Sequence, residues 1–158
     1  MEKTEIEKLK DEIEELRAKL NESELLIKDI SVPIIPSVIP ETILAPITGK
    51  LTPERFEMII EKMVNTSYSD VATVIFDFTS ISNNEIGEIE IFGQYIQNLT
   101  STLNLMGVEA IYVGFTPIVT QKLINSGLQL VKELHTFLSF RQALQYLMKQ
   151  KGLSFQKI

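Results

Sequence analysis

Apolar residues near the start of the chain recur in alternating steps of three and four: Ile6, Leu9, Ile13, Leu16, Leu20, Ile27 and Ile30, with Ser23 at the one polar seam position. That spacing predicts a helix over residues 3–30, with Ile6, Ile13, Leu20 and Ile27 at heptad position a and Leu9, Leu16, Ser23 and Ile30 at d. The stripe is narrow, as a coiled-coil seam is, whereas a helix packed on its own domain carries a wider one. Flanking charges from g to the following e of a parallel second copy are opposite in sign: Glu5 with Lys10, Glu12 with Arg17, Lys19 with Glu24. A homodimer through Ile6, Leu9, Ile13, Leu16, Leu20, Ile27 and Ile30 is the expectation, and β-branched residues at a with Leu at d favour two parallel strands. Ser23 loosens the last turns.

The pattern then changes. Pro33, Pro36 and Pro40 exclude a helix interior. Ser31–Ile39 and Thr42–Thr48 read as two extended runs joined by a turn at Pro40-Glu41, the first at a sheet edge. Thr52-Pro53-Glu54 combines a cap, a first-turn proline and an acid at the positive end of a helix. Phe56, Ile59, Ile60, Met63 and Val64 form that helix's apolar face. Val71–Phe76 is a continuous apolar run suited to a strand covered on both faces. A long amphipathic helix is expected from about Asn84 to Leu105, with Ile86, Ile89, Phe92, Ile96, Leu99, Leu103 and Met106 on one stripe and Gly107 ending it. Val108–Gly114 reads as the next strand. Pro117–Asn125 reads as a helix capped by Thr116 and stopped at Ser126-Gly127. Leu128–Leu134 suits a short edge strand, and Ser139–Lys149 a last helix with Phe140, Leu144, Leu147 and Met148 apolar. The alternation specifies an α/β fold: a mostly parallel or mixed β-sheet with crossover helices in residues 31–150, after a coiled-coil helix over 1–30 and before a loose tail over 151–158.

Composition narrows the function. The chain has 158 residues, 44% of them hydrophobic, and a formal charge of −6. That balance argues against nucleic acid and against an anionic membrane surface. There is no Cys and a single His, His135, so thiolate chemistry and multi-His metal sites are excluded. No apolar stretch is long enough to span a bilayer, and the charged N-terminus does not read as a signal peptide. A cytoplasmic protein with no metal and no cofactor is expected.

Candidate chemistry concentrates in Asp77-Phe78-Thr79-Ser80-Ile81-Ser82-Asn83-Asn84-Glu85-Ile86-Gly87, between a strand and a helix. Polar side chains and free backbone N–H groups gather there, able to hold an anion or a partner. The partner-binding surface is read as Asp77, Thr79, Asn83, Asn84, Glu85 and Ile86. Asp77 and Thr79 most often serve such loops structurally, through side-chain to backbone hydrogen bonds. Glu85, Glu88 and Glu90 suit the positive end of a helix better than an acid–base pair. His135 reads as a packing or surface residue and Ser139 as a helix cap. Gly114-Phe115-Thr116-Pro117 could hold phosphate but lacks the lysine of a P-loop. No catalytic residue is assigned.

Val32-Pro33-Ile34-Ile35-Pro36, Ala45-Pro46-Ile47-Thr48-Gly49, Ile75-Phe76-Asp77-Phe78-Thr79-Ser80-Ile81 and Val113-Gly114-Phe115-Thr116-Pro117 through Gly127-Leu128 resemble STAS domains, the anti-sigma-factor-antagonist fold. The likeness is strongest to the C-terminal domains of RsbR-type stressosome proteins. It implies a non-enzymatic regulator that co-assembles with a small single-STAS protein and a serine/threonine kinase, which is released when the STAS domains are phosphorylated. It also implies control of a stress sigma factor. Two departures stand out. The N-terminal portion is a zipper with no globular sensor. Simple antagonists carry Asp-Ser-Ser-Gly with the second serine phosphorylated, and the matching tetrad here is Asn84-Glu85-Ile86-Gly87, so Ile86 occupies the acceptor position. The second RsbR acceptor position falls on Lys122. Either the site is fixed in one state or phosphorylation has moved to Thr79, Ser80, Ser82, Thr116 or Thr120. The alternative function is a small-ligand sensor binding a nucleotide near Asp77–Ile86.

Overall fold

The computed structural model describes residues 4–30, 32–66, 68–126 and 134–154, and the side chains of 24–30 lie outside that description. Two units form, Met1–Ser31 and Val32–Ile158. In the first, helix α1 runs Glu5–Ile30. Its start is closed reciprocally: the Glu7 N–H donates to Thr4 Oγ1 and the Thr4 N–H to Glu7 Oε2, each at 3.3 Å, which satisfies two of the donors a helix start leaves open. The seam residues Ile6, Leu9, Ile13, Leu16 and Leu20 are all exposed, by 48–66%.

The second unit is built on a five-stranded sheet in the order β1 (Ile35–Pro36), β2 (Thr42–Pro46), β3 (Thr73–Asp77), β4 (Glu109–Val113), β5 (His135–Phe137). β1 is antiparallel to β2; the other pairs are parallel. Helices α2 (Pro53–Asn65), α3 (Ile89–Leu105), α4 (Pro117–Asn125) and α5 (Phe140–Lys151) complete it. Side chains alternate across the sheet with a period of two. Ile43, Ala45, Val74, Phe76, Ala110 and Tyr112 share one core with α2, α3 and α4. Ile75, Ile111 and Val113 pack with Ile39 and with Ala143 and Leu147 of α5. The three central residues of β3, Val74–Phe76, are therefore all apolar, because helices cover both of its faces.

Several boundaries differ from the pattern reading. β1 is only two residues long. Pro33, Pro36 and Pro40 lack an N–H for the ladder, and the chain turns back through Glu41 at a φ of +62°. Val64, expected in the core, is 45% exposed at the end of α2, and Met106, expected on the buried stripe, is 40% exposed as the C-cap of α3. The edge strand is His135–Phe137, where it pairs with Ile111–Val113; residues 128–133 lie outside the described residues. α5 ends on Gly152 in the left-handed region, where the Leu153 N–H donates to Met148 O at 2.8 Å. Gly152 and Leu153 thus belong to the helix cap, and residues 155–158 fall outside the description.

The deepest polar contact lies between α3 and β4. The fully buried Tyr112 hydroxyl sits 2.6 Å from Thr100 Oγ1, which donates to Ile96 O at 2.8 Å; a longer contact of 3.4 Å joins Tyr112 to the same carbonyl. Burial pushes the Tyr112 phenol far above its ordinary range, so it remains a neutral donor. Removing one partner of a buried bond costs more than removing a group whose partner stays satisfied. Tyr112→Phe is expected to cost about 1 kcal/mol by urea denaturation, since Thr100 keeps Ile96. Thr100→Val, which leaves the Tyr112 hydroxyl only its longer contact with Ile96 O, is expected to cost about 2 kcal/mol. Equal losses would contradict this hydrogen-bond chain.

Candidate partner-binding loop

β3 hands over to the loop at Asp77. The Phe78 N–H donates to Val113 O at 2.8 Å, which extends the β3–β4 pairing by one bond, and the Phe78 ring packs on Phe92, Tyr112 and Phe115. The Asp77 carboxylate then turns the backbone. Its Oδ1 accepts from the Thr79 N–H at 2.9 Å and from Thr79 Oγ1 at 2.5 Å. Thr79 lies directly on Gly114: a Cβ at Gly114 would sit 2.4 Å from the Thr79 nitrogen, and Gly114 has a φ of +87°. Both its conformation and its lack of a side chain are needed there.

Beyond Ser80, which is exposed, Ile81 drops into the core. Asn83–Glu85 form a single 3₁₀ turn. Glu85 Oε1 accepts from both the Ser82 N–H and Ser82 Oγ at 3.0 Å. Those bonds hold the Glu85 carboxyl below the usual range, first the backbone bond and then the hydroxyl, with the nearby Arg55 charge adding to them. Two ties anchor this turn to distant segments. The Leu51 N–H donates to Glu85 O at 2.9 Å. Thr116 Oγ1 donates to Asn83 Oδ1 at 3.2 Å while accepting from the Val119 N–H at 3.2 Å as the cap of α4.

Ile86 lies outside the long helix. The long helix does not begin at Asn84. Gly87, at a φ of +74°, breaks the chain direction; Glu88 is the N-cap and α3 starts at Ile89. Ile86 therefore turns inward, is 8% exposed, and joins the core. Its apolar side chain does not present a face to a partner. Together with Phe78, Ile81, Phe92, Phe115 and Val119 it leaves only about 10 Å³ of space beneath the loop, which is far too small for a nucleotide.

The loop's outer surface consists of Thr79, Ser80, Ser82, Asn83 and Asn84, with Asp77 and Glu85 half-buried behind them. Thr120 is half-buried on α4, lining a separate depression of about 360 Å³ with Phe115, Pro117 and Phe137. Lys122 is exposed in the last turn of α4. Ser139 caps α5, its Oγ accepting from the Gln142 N–H at 3.3 Å. His135 Nδ1 lies 2.6 Å from Glu109 Oε1. Among the described residues, no cluster of His, Asp and Glu could hold a metal, and no helix is long and apolar enough to cross a membrane. The arrangement is suited to recognition by hydrogen bonds and negative charge. Three of its supports went unassigned in the sequence. A glycine straight after an inner strand is itself a sign of close backbone approach, but the Leu51 and Thr116 ties join segments far apart in the chain and have no local signal.

No protein-family model and no curated protein sequence matches the chain. Solved structures do. A Ser-to-Glu variant of RsbS from Moorella thermoacetica superposes with a TM-score of 0.57 at 18% identity, over 77% of this chain and 98% of that one. A chain from the stressosome, described as a signal integration and transduction hub, gives 0.61 at 17% identity over 75% and 98%. The anti-sigma factor antagonist SpoIIAA in its unphosphorylated form gives 0.54 at 17% identity over 78% and 99%. The fold is the STAS fold. In this STAS unit the β3–α3 loop rests on Gly114 and is tied to α4 by Asn83.

The two glycines flanking this loop separate conformational strain from a steric clash. Both have positive φ, but a Cβ at Gly87 meets nothing within 4 Å. Gly87→Ala is expected to cost about 1 kcal/mol, the left-handed penalty alone. Gly114→Ala, which must also displace the Thr79 backbone, is expected to cost about 3 kcal/mol or more. Chemical denaturation of the two variants measures the difference. Similar losses would mean that Thr79 yields freely, and that the loop does not rest on Gly114.

Proposed function

We propose that the protein is a non-enzymatic regulatory scaffold: an RsbR-like stressosome subunit and anti-sigma-factor-antagonist paralogue, acting in the cytoplasm within a kinase-controlled partner-switching pathway for a stress sigma factor. It pairs with itself through α1, and it joins a small single-STAS protein and a serine/threonine kinase. The loop Thr79–Glu85 is the surface those partners read. The reading is supported by the STAS fold and by a polar, hydrogen-bonded surface at the end of the central strand.

The observation that carries the regulatory part is the buried side chain of Ile86. A phosphate would add about −1.5 to −2 charge and three acceptor oxygens at this position. Ile86 has no hydroxyl, and its side chain faces the core. The neighbouring hydroxyls are mostly engaged: Thr79 with Asp77, Ser82 with Glu85, Thr116 with Asn83 and Val119. Glu85 and Glu88 supply permanent negative charge instead. The surface is therefore held in one binding state, and this subunit is a constitutive member of its assembly.

The test is intact mass after incubation with ATP and the organism's own stressosome-type kinase. An unchanged mass is expected. An added phosphate would overturn the fixed state, and its mapping to Ser80, the exposed loop hydroxyl with no hydrogen bond among the described residues, would mean that the switch had moved.

A further inference from the structure

Ile6, Leu9, Ile13, Leu16 and Leu20 leave a continuous apolar stripe exposed along α1. Stripes of that length on soluble proteins mark contact surfaces. We infer that the occupant is a second copy of the same helix, running parallel and with no offset between the two copies. This deepens the self-pairing proposed above and rests on it.

Charge selects that geometry over its competitors. With no offset, Glu5 faces the partner's Lys10, Glu12 the partner's Arg17 and Lys19 the partner's Glu24, each contact occurring twice by symmetry, and every contact is attractive. Sliding one helix by a heptad brings Glu12 opposite the partner's Glu24 and Lys19 opposite Arg17, so that half of the contacts repel. An antiparallel pair overlapped about its middle keeps Glu5 against Lys19 and Lys10 against Glu24 but places Glu12 against Glu12 and Arg17 against Arg17, so that a third of its contacts repel. The key is the sign inversion in the third heptad. Glu5 and Glu12 at g are followed by Lys19, while Lys10 and Arg17 at e are followed by Glu24. Had the signs been uniform along the helix, the charges would not oppose a one-heptad slide.

Within one helix the Lys19 ammonium lies 3.6 Å from Glu15, both well exposed. That pair is weak in water and does not prevent Lys19 from reaching across the seam. Ser23, at the d position beside Glu24, is exposed and gives the seam a polar step of the kind that favours one register over others.

The experiment uses the full chain. It has no Cys, so a single one reports geometry cleanly. Ser23→Cys is expected to link two copies through the same position on mild oxidation. A one-heptad offset would separate the two sulfurs by about 10 Å along the axis, out of disulfide range, and an antiparallel pair would separate them further. By sedimentation equilibrium at low salt, Glu24→Lys is expected to weaken the dimer about tenfold, with the effect shrinking as salt is added. Lys19→Glu with Glu24→Lys is expected to restore it. A full chain that sediments as a monomer overturns the pairing itself. A dimer whose Ser23→Cys form stays unlinked, or whose double swap fails to recover, leaves pairing standing and overturns the register.

Discussion

The close approach of Thr79 to Gly114 sets the geometry of the whole β3–α3 loop. Phe78 remains bonded to Val113, so the loop leaves the sheet directly over the end of β4, and only a residue without a Cβ fits beneath it. From that crossing, Asp77 fixes the direction of Thr79. Phe78 and Ile81 point into the aromatic cluster around Phe92 and Phe115, and the turn at Asn83–Glu85 falls within reach of Leu51 and Thr116. Three ties from different parts of the chain therefore hold one short loop. That is how an irregular segment presents a fixed surface.

How legible this was depended on whether the signal was local. The caps at Thr52 and Thr116, each followed by proline, placed the starts of α2 and α4 because cap chemistry acts within one turn. The continuous apolar run ending in Phe76 read as a central strand, and it is one. The start of α3 misled for a physical reason. Ile86 keeps helical spacing with Ile89, Phe92 and Ile96, so periodicity alone extends the helix back through it. The left-handed Gly87 breaks the chain between them, and Ile86 reaches the same core from a different backbone direction. β1 and β5 were harder still. Prolines shorten the first, and the second is specified by pairing with β4, which no local pattern reports. The Asn83–Thr116 and Leu51–Glu85 contacts lie beyond any local reading.

Fold alone does not assign function. What bears on it here is the combination of three features in one chain: a STAS unit, a buried isoleucine at the position proposed to match the family's acceptor, and an exposed apolar stripe with heptad spacing. Under the proposed function, the first would supply the surface, the second would remove the usual means of changing it, and the third would present two copies together. A subunit of this kind would contribute binding sites to an assembly without itself reporting the signal, which leaves sensing and switching to its partners.

Particle size is the most direct measure of that account. The chain would be co-expressed with the small single-STAS protein and the serine/threonine kinase of its own organism, then isolated through this chain alone. A single megadalton particle containing all three is expected, with this subunit's own mass unchanged by ATP. Recovery of this chain as a free dimer carrying neither partner would contradict it.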